Sequence, residues 1–262
     1  MPRLKPFQTP PATHRQSAKW PGCSFPVALL FTVILLIGGN FLLSEIRKAR
    51  DLGRKPQCKT HLKQLGLALH NYHDEYGCFP PAFVADELGR PMHSWRVLLL
   101  PYLDQAPLYN QYRFDEPWDG PNNRRLADRM EEFFSCPVTP AMRDPSEPCF
   151  TSYVAVVGPE TAWPGTNSVS IKDIKDGMAN TLLLVEVANS GIQWMEPRDL
   201  HVLQMAPSIN SKAGQGISSR HPGGVYVLLA DGAVRFEEES LSPQTIRALL
   251  TIDGGEKVVD EF

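Results

Sequence analysis

Histidine and carboxylate residues that could act together in catalysis recur along the chain, and His221 is the most suggestive of them. His221 is followed by nine residues and then by Asp231 and Gly232. Nine residues of extended strand span about 30 Å at about 3.3 Å per residue, so this spacing does not form an acid–base pair by itself. We therefore interpret Asp231 and Gly232 as a turn, and His221 as the approach to a strand.

A second group of polar residues could bind a metal ion within a helix. His70, His73, Asp74 and Glu75 lie within one short stretch of the sequence. Two histidines at this spacing can bind one metal ion, but the H-E-x-x-H pattern of zinc enzymes is absent. Charged residues on a helix are usually solvated, so we interpret this group as the exposed face of a helix.

Calcium is the alternative for a third group, Asp173, Asp176 and Glu186. Carboxylate oxygens suit calcium, but the twelve-residue spacing of an EF-hand loop is absent. Asp176 and Gly177 are explained more simply as a turn. We therefore expect no metal centre, and keep these three carboxylates as calcium candidates.

The cysteines give no local metal or redox motif. Cys23, Cys58, Cys78, Cys136 and Cys149 contain no C-x2-C pair, so a zinc site is not expected. Outside the cytoplasm the last four could form disulfides, and three pairings are possible. Buried free thiols are the alternative. No G-x-S-x-G serine is present either, and we predict a non-enzymatic protein without a cofactor.

The segment 21–44 carries no charged side chain and precedes the rest of the chain, so it is a candidate membrane anchor. Its apolar part is about the length of a transmembrane helix, for which about 20 residues are needed. A cleaved signal peptide is the rival, but its apolar region is usually shorter and ends at a small-x-small site. We predict a retained span at 21–44, preceded by a disordered basic tail at 1–20.

Residues 45–76 are predicted to continue as an amphipathic helix. Leu62, Leu65, Leu69 and Tyr72 follow the spacing of one buried stripe, and Gly77 is a stop signal. Residues 77–262 then form the head domain, in which strands predominate. Its clearest element is a hairpin over 225–236 with a two-residue Asp-Gly turn. A long helix followed by an antiparallel sheet predicts an α+β fold.

His221, followed by nine residues and then by Asp231-Gly232, forms an H-x9-DG motif, and many further motifs accompany it. They are Gln57–Asp74, Tyr76-Gly77, Phe79–Pro81, Ser94–Val97, Leu99–Leu103, Leu108-Tyr109, Pro117–Asn123, Phe134–Pro137, Asp176–Thr181, Glu186, Trp194, Pro197–Leu200, Ser219–Gly224, Val234–Phe236 and Thr251–Glu256. Together these segments resemble a bacterial pilin-like family of unknown function, domain of unknown function 1559, in which H-x9-DG is the signature of prepilin-type proteins. The resemblance covers about residues 49–259.

This resemblance implies a pilin-like fold, in which a long N-terminal helix packs its amphipathic half on an antiparallel sheet. It also implies that the N-terminus is cytoplasmic and the head extracytoplasmic. Lysine and arginine counts near the span slightly favour the opposite orientation, and the resemblance overrules them. Because the family carries cysteines in both motifs, it implies a Cys58–Cys136 disulfide. The rival is Cys136–Cys149, which would close a short proline-rich loop.

The prepilin processing site is degenerate in this chain. Aligned through Cys58, Gly22 falls at the cleavage position and Cys23 begins the mature sequence, but Val27 stands where pilins have a buried glutamate. Loss of that charge should weaken register during assembly.

We expect a pseudopilin-like structural or assembly protein of a secretion or pilus apparatus. Its expected partners are the bilayer and other pilin-like subunits. The net charge of −3 does not suggest nucleic acid. The alternative is a tethered ligand- or glycan-binding protein that does not polymerise.

Overall fold

The computed structural model describes residues 55–137, 150–211 and 216–256, together with Leu30, Gly38 and Gly39. The chain divides into two compact units, residues 1–49 and 50–262, and the fold described below belongs to the second. Within the described ranges, no helix combines the length and the apolar character that crossing a bilayer requires. The predicted tail lies outside the described residues, as do Gly22 and Cys23. Of the predicted span, only Leu30, Gly38 and Gly39 are described.

Among the described residues, helix α1 covers 55–76 and carries one buried stripe, as its sequence spacing predicts. Leu62, Leu65 and Leu69 are fully buried, and Tyr72 packs at the margin of the same core. The helix ends at Gly77, whose φ of +75° is accessible to glycine and whose N–H donates to the His73 carbonyl at 2.7 Å. This stripe fixes which face of α1 meets the sheet.

The remaining elements are short and are separated by ordered loops. Five 3₁₀ turns accompany them among the described residues, at Leu100–Leu103, Asn123–Leu126, Glu132–Phe134, Ile171–Asp173 and Met178–Asn180. The strands and helices after α1 are β1 (Phe83–Ala85), β2 (Pro91–Ser94), α2 (Trp95–Leu98), α3 (Ala106–Tyr109), β3 (Tyr153–Val154), β4 (Val156–Val157), β5 (Leu182–Glu186), β6 (Leu200–His201), β7 (Gly224–Leu229), β8 (Val234–Glu238) and α4 (Pro243–Leu250).

A four-stranded antiparallel sheet in the order β3-β5-β7-β8 forms the centre of the fold. β5 and β7 are its inner strands, and Val185 of β5 pairs with Val227 of β7. β1 and β2 form a separate antiparallel pair, and β4 and β6 form a short parallel pair. The predicted α+β class with antiparallel sheets is therefore confirmed.

Both faces of the central sheet are covered by a helix. α1 lies on one face, where a β-carbon at Gly66 would come within 2.8 Å of a methyl carbon of Leu228 in β7. On the other face, Ile246 and Leu249 of α4 join the apolar cluster formed by alternate residues of the inner strands. Ser242 begins α4 by accepting the Thr245 N–H at 3.2 Å. Continuous apolar sequence in β5 reflects burial on both faces.

The predicted hairpin is present, but its turn is one residue longer than the sequence indicates. Leu228 and Val234 are the last paired residues of β7 and β8, and beyond them the Leu229 N–H donates to the Ala233 carbonyl at 2.9 Å. The Gly232 N–H then donates to the Leu229 carbonyl at 3.0 Å, with Gly232 at a φ of +82°. The loop therefore has three residues, with glycine in the left-handed position that such loops favour. The Asp231 carboxylate accepts the Ala233 N–H at 2.8 Å and stabilises the turn.

Candidate functional site

The polar residues of α1 that resemble metal ligands contact neighbouring loops of the fold. His73 Nε2 accepts the Ile171 N–H at 3.3 Å, and Glu75 accepts the Tyr102 hydroxyl proton at 2.7 Å. The ring of His70 packs edge-on against Phe79. These contacts attach α1 to the loops around it.

The structure does not bring the calcium candidates together. Asp173 caps the 3₁₀ turn at Ile171–Asp173 by accepting the Ser170 N–H at 2.8 Å. Asp176 accepts backbone N–H groups of the 254–255 loop, both at 2.8 Å, whereas Glu186 is buried at the end of β5. Each of the three carboxylates therefore has a separate set of partners.

His221 is buried, and the turn before β7 fixes its direction. The Ser219 hydroxyl accepts the His221 N–H at 2.9 Å and donates to the Gly224 carbonyl at 2.9 Å, which closes the turn. Gly224 is required there because a β-carbon would overlap the carbonyl oxygen of Glu237 on β8. Asp231 lies at the far end of β7, so the two polar residues of the H-x9-DG signature act in different places.

The imidazole of His221 faces a disulfide and a carboxylate. Its Nε2 lies 3.5 Å from Sγ of Cys136, which is bonded to Cys58, and 3.4 Å from Oε1 of Glu186. We call these four residues the cysteine–histidine cluster. All four are buried, with exposed fractions of 0% for Cys58, 6% for Cys136, 1% for Glu186 and 2% for His221.

Four separate segments supply this cluster. Cys58 lies in α1, and Cys136 follows the 3₁₀ turn that ends at Phe134. Glu186 is the last residue of β5, where its Oε2 accepts the Tyr226 N–H of the neighbouring strand at 2.8 Å. The Cα atoms of the two cysteines are 5.2 Å apart, which is within the usual range for a disulfide. The bond therefore connects α1 to the loop that precedes the sheet.

Two tyrosines and a small cavity border the cluster. Burial, and then the charge of Glu186, raises the pKa of the Tyr153 hydroxyl well above its usual value. The same two causes raise the pKa of Tyr226. A cavity of about 10 Å³ lies beside Cys136 and Glu186. That volume is about enough for one water molecule, and far too small for an organic substrate.

A buried ion pair lies elsewhere in the same unit. Arg96 of α2 contacts Asp199 at 2.5 Å, with both side chains almost fully buried. The Ala155 N–H and the Trp95 indole N–H donate to Asp199 as well, at 2.9 and 3.1 Å. Burial acts to raise the pKa of Asp199 and to lower that of Arg96, and their mutual contact opposes both shifts. This pair joins α2 to the segment before β6.

The chain matches the model of one protein family over most of its length. The model of a family described as a protein of unknown function (DUF1559) matches residues 47–200 and 188–244. The chain belongs to the DUF1559 family. No curated protein and no solved structure gives a significant match. The cysteine–histidine cluster and the Arg96–Asp199 pair both lie inside the matched ranges of this DUF1559 protein.

Sequence spacing did not indicate either buried group as a unit. The members of the cluster come from regions as far apart as residues 58 and 221, and Arg96 and Asp199 are 103 positions apart. Each of these residues nevertheless lies in a motif that carries the family resemblance. Membership of these motifs is the sequence feature that could have singled out the six residues. It does not show which of them meet in the fold.

The other cysteines have different positions. Cys78 is a free cysteine of intermediate burial, while Cys23 and Cys149 lie outside the described residues. In the structure Cys136 is bonded to Cys58, so the rival Cys136–Cys149 pairing is not adopted.

Proposed function

We propose that this DUF1559 protein is a non-enzymatic, membrane-anchored, pseudopilin-like subunit with an extracytoplasmic head, serving a structural or assembly role. The observation that carries the proposal is the packing of α1. Its apolar stripe lies on a four-stranded antiparallel sheet, and Cys58 of this helix is bonded to Cys136 of the head. A subunit that transmits position from a membrane anchor to a head needs a firm attachment of this kind.

The disulfide supports the orientation. Disulfides persist in oxidising compartments and are rare in the cytosol of most organisms. A buried Cys58–Cys136 bond therefore favours an exported head. The uncharged segment 21–44, which precedes α1 in sequence, supplies the proposed anchor.

A structural role also agrees with the chemistry of the cluster. His221 faces a disulfide and a carboxylate, and the adjoining cavity of about 10 Å³ holds no space for a substrate. The chain lacks the glutamate on which pilin register depends, with Val27 in its place. Assembly would then depend on contacts made by the head and by the outer face of α1.

Photocrosslinking in the native membrane tests the assembly role. Leu67 is on the outer face of α1 with 64% of its surface exposed, and a photoreactive residue there should give a ladder of crosslinked copies or partner pilins. Leu203 is 84% exposed in a loop of the head and provides a matched control position. A protein that remains monomeric when crosslinked from position 67, or that gives the same ladder from position 203, would contradict the proposal.

A second function is supported by a larger cavity beside β6. This cavity has a volume of about 460 Å³ and is lined by both apolar and polar groups. Small-molecule sites usually measure about 300–1,000 Å³. The polar residues that line it are Asn189, Ser190, Arg198, Asp199, His201 and Gln204.

This cavity would suit a tethered receptor for a small polar ligand such as a saccharide. Native mass spectrometry of the detergent-solubilised full chain with saccharide mixtures tests the alternative. A monomeric protein that retains a saccharide, and loses it when Gln204 is replaced by Leu, would favour the receptor over the assembly subunit. A protein that retains none would remove the alternative.

A further inference from the structure

We propose that Cys58, Cys136, Glu186 and His221 form a buried zinc site when the disulfide is reduced, so that the protein has two alternative cross-links at one place. Their ligand atoms all lie within 4.8 Å of one another. They are the one such group of histidine, cysteine and acidic residues in the described part of the chain. The inference goes beyond the proposed structural role, because it assigns a bound metal and a redox state.

The donor set is the first reason. Zinc is bound tetrahedrally by thiolate, imidazole and carboxylate, at about 2.3 Å for sulfur and about 2.0–2.2 Å for nitrogen and oxygen. A tetrahedron with these bonds separates neighbouring ligand atoms by roughly 3.3–3.8 Å. The observed separations of His221 Nε2 from Cys136 Sγ and from Glu186 Oε1 are 3.5 and 3.4 Å. The imidazole therefore already has the spacing of a zinc ligand.

The second reason is that the polar atoms are poorly paired in the disulfide form. A hydrogen bond between nitrogen and oxygen is usually about 2.7–3.2 Å long. The contact between His221 Nε2 and Glu186 Oε1 exceeds that range, and Glu186 Oε1 has no hydrogen-bond partner among the described residues. Buried polar atoms normally find partners, so the unpaired Glu186 Oε1 is available to a cation.

The surroundings favour a defined geometry for the carboxylate. Glu186 Oε2 is already fixed by the Tyr226 N–H at 2.8 Å, which leaves Oε1 directed at the imidazole. Hydrogen bonds of this kind orient metal ligands and strengthen binding. Burial of all four side chains would also exclude water from the ion and slow its release.

The two states exclude each other chemically. A phosphine or dithiol reductant gives two electrons to the disulfide bond, and two protons complete the thiols of Cys58 and Cys136 while the reductant is oxidised. Zinc then displaces the two thiol protons to solvent and binds two thiolates. The metal would hold α1 to the head until an oxidised dithiol takes two electrons from the thiolates, which re-forms the Cys58–Cys136 bond and releases the ion.

Cobalt substitution tests the site directly. The full chain in detergent, with Cys23, Cys78 and Cys149 replaced by Ser, is reduced with a phosphine and titrated anaerobically with Co²⁺. We expect one equivalent to bind with a thiolate-to-cobalt charge-transfer band and tetrahedral ligand-field bands, and Zn²⁺ to abolish both. The oxidised protein should show neither band. Absence of the bands in the reduced protein, or their presence in the oxidised protein, would overturn the proposal.

Two variants in that background identify the remaining ligands. Glu186→Gln keeps an acceptor for Tyr226 but loses the anionic ligand, and His221→Ala loses the imidazole. Each should weaken Co²⁺ binding by at least about tenfold, in line with the effect of disturbing a metal site. Binding by both variants as tight as that of their parent would show that two cysteines alone hold the ion, and would refute the site.

A readout in the unsubstituted chain covers the case in which a variant or the reduced protein loses its fold. The reduced chain is incubated with or without Zn²⁺, alkylated and mapped by mass spectrometry. Zinc should protect Cys58 and Cys136 and leave the free Cys78 reactive. If reduction unfolds the chain, zinc should restore its native tryptophan fluorescence. Equal alkylation of the three cysteines with and without zinc would contradict the proposal.

Discussion

Replacing Cys58 and Cys136 together by Ala should strongly destabilise the head, because their bond restricts the unfolded chain. The two residues are separated by 78 positions. Chain entropy then predicts a loss of about 4.5 kcal/mol at 25 °C for a loop of this length. Each single variant should cost nearly as much as the double variant, since either one removes the whole bond.

Urea unfolding in detergent, followed by tryptophan fluorescence, measures this loss. Trp194 is fully buried and stacks on Phe134. Because Phe134 is close in sequence to Cys136, the emission of Trp194 reports on the structure around the disulfide. With an m-value of about 2 kcal/mol/M, the midpoint should fall by about 2 M. A chelator is included so that metal binding does not contribute. Cys78→Ala is the matched control and should change stability by less than about 0.5 kcal/mol.

A loss below about 1 kcal/mol in the double variant would refute this reasoning. It would mean that the bond does not form in solution, or that α1 stays in place without it. Strictly additive single variants would lead to the same conclusion, because additivity is the behaviour of independent sites.

Three further changes test other parts of the fold by the same unfolding assay. Gly224→Ala should cost about 3 kcal/mol, because the new methyl group overlaps the backbone of Glu237. Arg96→Met should cost about 3–5 kcal/mol by leaving Asp199 buried without its partner, and adding Asp199→Leu should recover part of that loss. Asp176 is partly buried, which raises its pKa, but hydrogen bonds from two backbone amides and a threonine hydroxyl lower the pKa overall. The stability contributed by Asp176 is therefore present above its unfolded pKa of about 3.9 and lost as pH falls through the lower folded value, so Asp176→Asn should remove that pH dependence.

Controls and contrary outcomes follow from the same contacts. Gly223→Ala should be milder than Gly224→Ala, because a β-carbon at Gly223 meets no atom and only its φ of +84° opposes the change. Equal costs would show that overlap with β8 is not the cause. An Arg96→Met protein as stable as the parent would mean that the ion pair contributes no net stability. An Asp176→Asn variant that keeps the full acid transition would show that other carboxylates dominate below pH 4.

Local patterns in the sequence predicted the elements but not all their details. The stripe of Leu62, Leu65 and Leu69 identified α1 because one helix face is buried against a flat sheet. The Asp-Gly pair identified the hairpin, although the loop gained a third residue once Gly232 took the left-handed position. α4 was not predicted, despite the signal of Ser242 before Pro243 and an apolar stripe.

The candidate site could not be predicted from spacing, because its residues meet only through tertiary packing. Glu186 was grouped with acidic neighbours in sequence, but strand pairing places it beside Tyr226 and His221 instead. Absence of a C-x2-C pair argued against zinc, yet that argument applies only to ligands supplied by one local segment. The segments that resemble the family contain these residues, and the fold shows which of them are neighbours.

The proposal of a membrane-anchored protein with an extracytoplasmic head is tested most directly by determining on which side of the membrane the head lies. Spheroplasts with an intact cytoplasmic membrane are treated with protease, and the residues 77–262 are followed with an antibody to the head. We predict that the head is digested while a cytoplasmic marker protein survives, and that peptides from untreated cells contain the Cys58–Cys136 bond. Protection of the head until the membrane is lysed, with both cysteines reduced, would contradict it.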